Sequence, residues 1–240
     1  MRGLEVLAGG DRSERTIVFV LYSGITLLDL VGPLEVLNRL PPPFKTVVIG
    51  ETIEPVGTSL PVQVIPDTTF EDVPHPFAVI VPGGSGGSIR AMGDERLRKY
   101  LLSAERTADV VGSVCTGALI LAAAGLLNGR EATTHWSYAM FLNRLGARYV
   151  KKRWVRDGKF ITSAGVSAGI DMALELASQF AGAEVARRIQ IGLEYDPQPP
   201  LGGIDWSEVD LGARTPWILS KMKSELAHRP DLLKLLDEGH

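Results

Sequence analysis

Apolar residues in this chain fall into short unbroken runs, most of them followed by a stretch with helical spacing. Thr16–Tyr22, "TIVFVLY", is continuous and β-rich, as expected of a strand buried on both faces. Over Leu27–Leu40 leucines and valines recur at helical intervals, and Pro33 inside it predicts a break or a fresh helix start. "FKTVVIG", ended by Gly50, predicts a second strand, "VQVIP" a short extended piece, and Phe77–Gly84 a third strand that runs into a glycine-rich turn. Asp94–Ala108 predicts a charged amphipathic helix, "DVVGSV" a fourth strand, and Thr116–Leu127 another helical stretch. Ser137–Leu145 predicts a helix, "RYVKKRWVRDGKFITS" a hairpin turning at Asp157-Gly158, and Ser167–Gly192 one or two helices. Within that last stretch Asp171 reads as part of a helix start with Ser167 as its cap, and "KKRW" (Lys151–Trp154) as a solvated strand face.

Strands alternating with helices predict an α/β fold, a three-layer α/β/α sandwich of flavodoxin-like type on a mainly parallel sheet. After Tyr195 the alternation lapses into the Pro/Gly-rich "YDPQPPLGG" and two short helical stretches with Trp206 and Trp217. The expected organisation is a flexible arm over residues 1–14, an α/β domain over 15–195, and a loop with a helical extension of the same domain over 196–240.

Composition narrows the function classes. The chain has 240 residues, 45% hydrophobic, with a net charge of −3 and one cysteine. That length buries enough surface to need no metal or disulfide staple. A single cysteine excludes an internal disulfide and a thiolate cluster. The charge favours neither nucleic acid nor an anionic membrane, and no apolar run approaches a membrane span. The expectation is a cytoplasmic protein with no metal and no cofactor.

The one thiol sits in "DVVGSVCTGALILAAAGLL" (residues 109–127), where a strand passes into a helix among small residues. That is where a nucleophile elbow lifts a reactive side chain out of an α/β sheet, though Cys115 also fits as a small core residue. At an elbow, the helix start should stabilise the thiolate and lower its pKa. Two further places bear on the choice. Asp29 lies among leucines after the first strand, where a carboxylate is costly unless paired. It reads either as a cap near Pro33 or as a carboxyl facing the thiol. "VPGGSGG" (Val81–Gly87) exposes backbone N–H groups at a strand end. An oxyanion site from the Gly84 N–H and the Thr116 N–H is expected there.

"VPGG", "SVCTGALILAAAGLLNGREATTHW" and "GVSAGIDMALELA", in that order and spacing, resemble the ThiJ/PfpI superfamily with its class I glutamine amidotransferase-like fold. "GITLLDLVGPLEVL" resembles its first helix and "EYDPQPP" its late loop, so the likeness spans about residues 15–200. Cys-Thr-Gly followed by Thr-Thr-His-Trp resembles the isonitrile hydratase branch and the sensor domains of AraC-type regulators. The resemblance implies Cys115 as nucleophile, Asp29 as its hydrogen-bonded acid, Thr116 as the branch's threonine and Gly84 as a backbone donor. His135 is implied near the site, with a turn hydrogen bond its plainer reading; Trp136 reads as a pocket wall or core residue, and Gly83 as a pocket candidate. The implied reaction is attack on an isonitrile carbon, a Cys115 thioimidate, and release of an N-substituted formamide. Thr116 departs from the histidine that often follows the cysteine in the peptidase-like and glyoxalase-like branches. No histidine begins the late His-x-Glu pair of glutaminases, and too few residues follow 200 for a pair of helix-turn-helix units. Two alternatives remain: a glyoxalase or deglycase acting on 2-oxoaldehydes, and a redox-sensing, stress-related protein whose thiol is oxidised. The expected partners are a small electrophilic substrate and a second copy of the chain in a homodimer.

Overall fold

The computed structural model describes residues 13–237. The arm expected over residues 1–14 therefore lies almost wholly outside the described residues. In chain order the elements are β1 (Arg15–Val20), α1 (Leu27–Leu37), β2 (Phe44–Gly50), β3 (Val56–Gly57), β4 (Gln63–Val64), β5 (Thr68–Thr69) and β6 (Ala78–Val81). There follow α2 (Gly86–Met92), α3 (Glu95–Glu105), β7 (Val110–Val114), α4 (Gly117–Ala123), β8 (Glu131–Ala132), α5 (Ala139–Arg144), β9 (Arg148–Tyr149), β10 (Trp154–Asp157) and β11 (Phe160–Ser163). The chain continues through α6 (Ala168–Ala181), α7 (Ala183–Gly192), α8 (Thr215–Glu225) and α9 (Pro230–Asp237).

Seven strands form one sheet in the order β10-β11-β7-β6-β1-β2-β5. Every pairing in it is parallel except β10 with β11. β6 and β7 are buried along their whole length, as are the last four residues of β1, because helices cover both faces. Helix α1 packs on α6, and α2 packs on α4. These two pairs cover opposite faces, as right-handed crossovers require when β1 leads to β2 on one side and β6 to β7 on the other. The boundary between β1 and β6 is thus the point where the strand order reverses, and crevices open beyond the carboxyl ends of strands there.

Several local expectations change. Pro33 does not break α1, which runs through it on a close seam with α6, Gly32 facing Ile170 and Gly169 facing Pro33. Ser167 does not cap α6; its hydroxyl accepts from Arg153, which also pairs with Asp171. Helix α2 was hidden in the glycine-rich run, and α4 stops at Ala123. The "RY" of the expected hairpin pairs instead with β8, in a separate parallel ladder. Gly182, at φ +89°, divides the long helical stretch into α6 and α7. Ile218, Met222, Leu226, Leu232 and Leu236 of the C-terminal part are buried in the core.

Gly117 opens α4 directly against β6. A Cβ there would lie 2.1 Å from the Val81 carbonyl oxygen and 2.9 Å from that of Pro82. Backbone atoms cannot yield as a side-chain tip does, so Gly117→Ala should cost about 3 kcal/mol or more. Gly57→Ala, which would meet nothing within 4 Å, serves as control and should stay within about 0.5 kcal/mol. Urea unfolding of both variants checks this, and equal midpoints would contradict the packing.

Candidate active site

Three strand ends build the site. Asp29 follows β1 in the first turn of α1, Gly83–Ser85 follow β6, and Cys115 follows β7. All three lie at the carboxyl edge of adjacent strands, β1, β6 and β7.

Cys115 is held at φ +55°, a left-handed conformation that costs a non-glycine residue roughly 1–2 kcal/mol. Two hydrogen bonds from distant segments pin it. Its N–H donates to the Ser163 carbonyl at 3.1 Å, and the Thr134 hydroxyl donates to its carbonyl at 2.9 Å. The side chain is 3% exposed.

Asp29 is fully buried. Its Oδ2 accepts the Gly83 N–H at 3.0 Å, while Oδ1 has no formed hydrogen bond. The carboxyl and the thiol nonetheless lie close enough for each to move the other's titration. Gly83 has to be glycine here, because a Cβ would stand 2.6 Å from both Asp29 Oδ2 and the Thr116 nitrogen. Burial pushes the Asp29 carboxyl up to about 7, against the downward pull of the Gly83 N–H and of the thiol. Burial also drives the Cys115 thiol well above its usual range, and the Asp29 charge adds to it. The Thr116 N–H pulls the other way without prevailing. The expected lowering by the helix start is therefore overturned: desolvation outweighs it.

Thr116 is fully buried and its hydroxyl is fully committed. Oγ1 accepts from the N–H groups of Gly84 at 2.9 Å and Ser85 at 3.2 Å, and lies 2.8 Å from Ser88 Oγ. Ser88 Oγ lies 2.9 Å from the Tyr22 hydroxyl, which donates to the Pro82 carbonyl at 2.7 Å. A carbonyl only accepts, so the proton order along the chain is set. Thr116 donates to Ser88, Ser88 to Tyr22, and Tyr22 to Pro82. The Gly84 N–H, expected as an oxyanion donor, is thus already engaged by Thr116. The Thr116 side chain acts as a strut for the glycine turn, and its own N–H remains the backbone donor toward the thiol.

His135 caps the turn over Trp136–Tyr138. Its Nδ1 accepts the Ser137 N–H and lies 2.9 Å from the Ser137 hydroxyl. Burial and the Arg214 charge lower its pKa. Trp136 lines a cavity of about 640 Å³ beside the site; His135 and Gly83 do not. The cavity wall includes Leu28, which precedes Asp29, and Thr134, which holds the Cys115 carbonyl. It also includes Ala164 and Gly165, next after the Ser163 that accepts the Cys115 N–H. Cys115 itself does not line the cavity, whose wall is made by the neighbours of the residues that hold it. Sequence reasoning missed Tyr22 and Ser88, whose part depends on contacts sixty or more residues apart. It also missed Tyr138, a fully buried tyrosine whose titration feels Ser85 and Cys115.

An elbow cysteine at the switch point of a parallel sheet, with a buried carboxyl from the neighbouring strand end, defines a class of α/β proteins with nucleophilic thiols. The chain belongs to the DJ-1/PfpI family, whose model matches residues 15–179. It is 45% identical over 185 residues to an isonitrile hydratase from Pseudomonas putida, covering 77% of this chain and 80% of that one. A crystal structure of a ThiJ/PfpI family protein from Pseudomonas syringae superposes with a TM-score of 0.82 at 29% identity, covering 98% of this chain and all of that one. An HTH-type transcriptional regulator, GbdR, from Pseudomonas aeruginosa is 30% identical over 193 residues, and the match spans 52% of its length.

The Asp29 titration has a consequence for stability. Its carboxyl titrates near 3.8 when exposed in the unfolded chain and near 7 in the fold, so the fold favours the protonated form. That contribution is complete below pH 3.8 and is lost as pH rises through about 7. The loss is on the order of 4 kcal/mol. Asp29→Asn should flatten this fall, as read by urea unfolding at about pH 5 and about pH 8. Parallel pH slopes in wild type and variant would contradict the burial of an ionisable carboxyl.

Proposed function

We propose that this chain is a cysteine-dependent isonitrile hydratase. The observation that carries the reading is the buried Cys115–Asp29 pair, with an acid poised near neutrality beside a thiol. The 45% identity to an isonitrile hydratase supports the same reading.

An isonitrile carbon is electrophilic toward sulfur and needs a proton once the C–S bond has formed. The thiol proton passes to Asp29, sulfur bonds the terminal carbon, and Asp29 returns the proton to that carbon. The product is a thioimidate on Cys115. Water then adds to the C=N carbon, and nitrogen takes a proton. The C–S bond breaks, an N-substituted formamide leaves, and the thiolate is reprotonated through Asp29. One water is consumed and the pair ends as it began. The Thr116 N–H steadies charge on sulfur, while the Thr116 side chain keeps the glycine turn in place. A carboxyl near 7 suits both proton steps at neutral pH. Thr116 stands where glyoxalase-like relatives often carry a histidine, which favours hydration over carbonyl chemistry. The reading places the protein in the cytoplasm as a homodimer acting on a small electrophile. A free buried thiol supports that setting, and no described helix is long and apolar enough to cross a membrane.

The pair works with one shared proton. At low pH it holds two, so kcat/KM should rise with pH through about 7. Hydration of an aryl isonitrile, followed by ultraviolet absorbance, measures this. Cys115→Ala should lower the rate by roughly 10³-fold or more, and Asp29→Asn should remove the acid limb. Undiminished turnover in Cys115→Ala, or lactate from methylglyoxal without formamide from any isonitrile, would overturn the reading.

A further inference from the structure

The cavity beside the thiol has two chemically distinct walls. One is apolar and aromatic: Leu28, Trp136 and Val166 from the α/β domain, and Ile204, Trp206 and Leu211 from the segment after the family-matched span. Trp136 and Trp206 meet edge to face, their ring centroids 6.3 Å apart. The other wall is cationic. Lys151, Lys152 and Arg153 all line the cavity, and no carboxylate does.

The three cations differ in how they are held. Arg153 is committed to Asp171 and to the Ser167 hydroxyl. Lys151 and Lys152 have no carboxylate within ion-pair distance among the described residues. Lys151 Nζ sits 5.3 Å from the centroid of the Trp206 ring, a cation–π contact that holds the ammonium at the cavity edge without neutralising its charge. The 204–211 segment carries Asp205, Glu208 and Asp210, and none of them forms an ion pair with these lysines among the described residues. Asp205 accepts from the N–H and hydroxyl of Ser207, and Asp210 accepts the Gly212 N–H, so both are turned on their own loop. A cavity with an apolar floor and unanswered cations at one edge is complementary to a molecule with a hydrocarbon or aromatic body and an anionic end.

We infer that the natural substrate is an isonitrile carboxylate: an apolar body lodged between Trp136 and Trp206, its carboxylate toward Lys151 and Lys152, and its isonitrile carbon toward Cys115. The inference rests on the hydratase reading for the reaction, and the cavity specifies the rest of the molecule. Hydration adds one water to the isonitrile carbon and leaves the carboxylate untouched, so the product is an N-formyl amino carboxylate. The substrate must come from a reaction that builds the isonitrile on the nitrogen of an amino carboxylate with carbon from a one-carbon donor.

Binding of a product-type ligand tests the cavity without requiring turnover. The probes are N-formylphenylalanine and its uncharged methyl ester, titrated against the intrinsic tryptophan fluorescence to which Trp136 and Trp206 contribute. The acid should bind about tenfold more tightly than the ester, the worth of one charge-assisted contact. The ratio should shrink with added salt and fall near one in the double variant Lys151→Gln, Lys152→Gln. Trp206→Ala should weaken both probes. An ester that binds the wild type as tightly as the acid, or a ratio untouched by the lysine replacements, overturns the inference. So does an absence of binding by either probe. Acid preference in a protein that hydrates no isonitrile would remove the hydratase reading and leave the anion-selective cavity standing. Hydration of neutral isonitriles with no acid preference would do the reverse.

Discussion

A carboxyl group buried against a buried thiol is the constraint around which this structure is arranged. Neither group tolerates full charge in an apolar interior, and their titrations move upward together. The fold answers only part of that cost, with the Gly83 N–H on one carboxyl oxygen. The other oxygen is left without a formed hydrogen bond. What remains is a carboxyl that titrates near 7 next to a buried thiol, held where the strand order of a parallel sheet reverses. The strained backbone of Cys115, the absence of any Cβ at Gly83 and the proton-ordered hydroxyls of Thr116, Ser88 and Tyr22 all maintain that juxtaposition.

The sheet was largely legible in the chain because parallel strands covered on both faces read as unbroken apolar runs, and β1, β2, β6 and β7 do so. Cys115 and Asp29 were legible as chemistry because each breaks its local pattern, a lone thiol at a strand–helix junction and a carboxylate among leucines. Partners that are remote in sequence were not. The Gly84 N–H meets the Thr116 hydroxyl thirty-two positions away, and nothing in "VPGG" announces that acceptor. Helix α2 hides in a glycine run, and α1 survives Pro33 only through its seam with α6. The direction of the thiol's shift was misread because a short helix start is weighed against complete desolvation, a quantity that only packing reveals.

The segment after residue 195 packs on the α/β core and supplies one wall of the cavity. Its helices complete the core through Ile218 and Met222, while Ile204, Trp206 and Leu211 close one side of the cavity. Family members share the elbow; the cavity wall decides what reaches it. In this chain that wall joins tryptophan rings to lysines outside any ion pair among the described residues, so in the proposed hydratase the reaction and its selectivity are set by different parts of the sequence.

In the proposed hydratase, Cys115 sulfur bonds the isonitrile carbon. Acid-quenching the wild-type enzyme within a turnover on an aryl isonitrile, then mapping peptides by mass spectrometry, tests it most directly. The account predicts a Cys115 peptide heavier by one intact isonitrile molecule. Formamide accumulating in the same quenched samples, with the Cys115 peptide unmodified or the adduct on another residue, would contradict it.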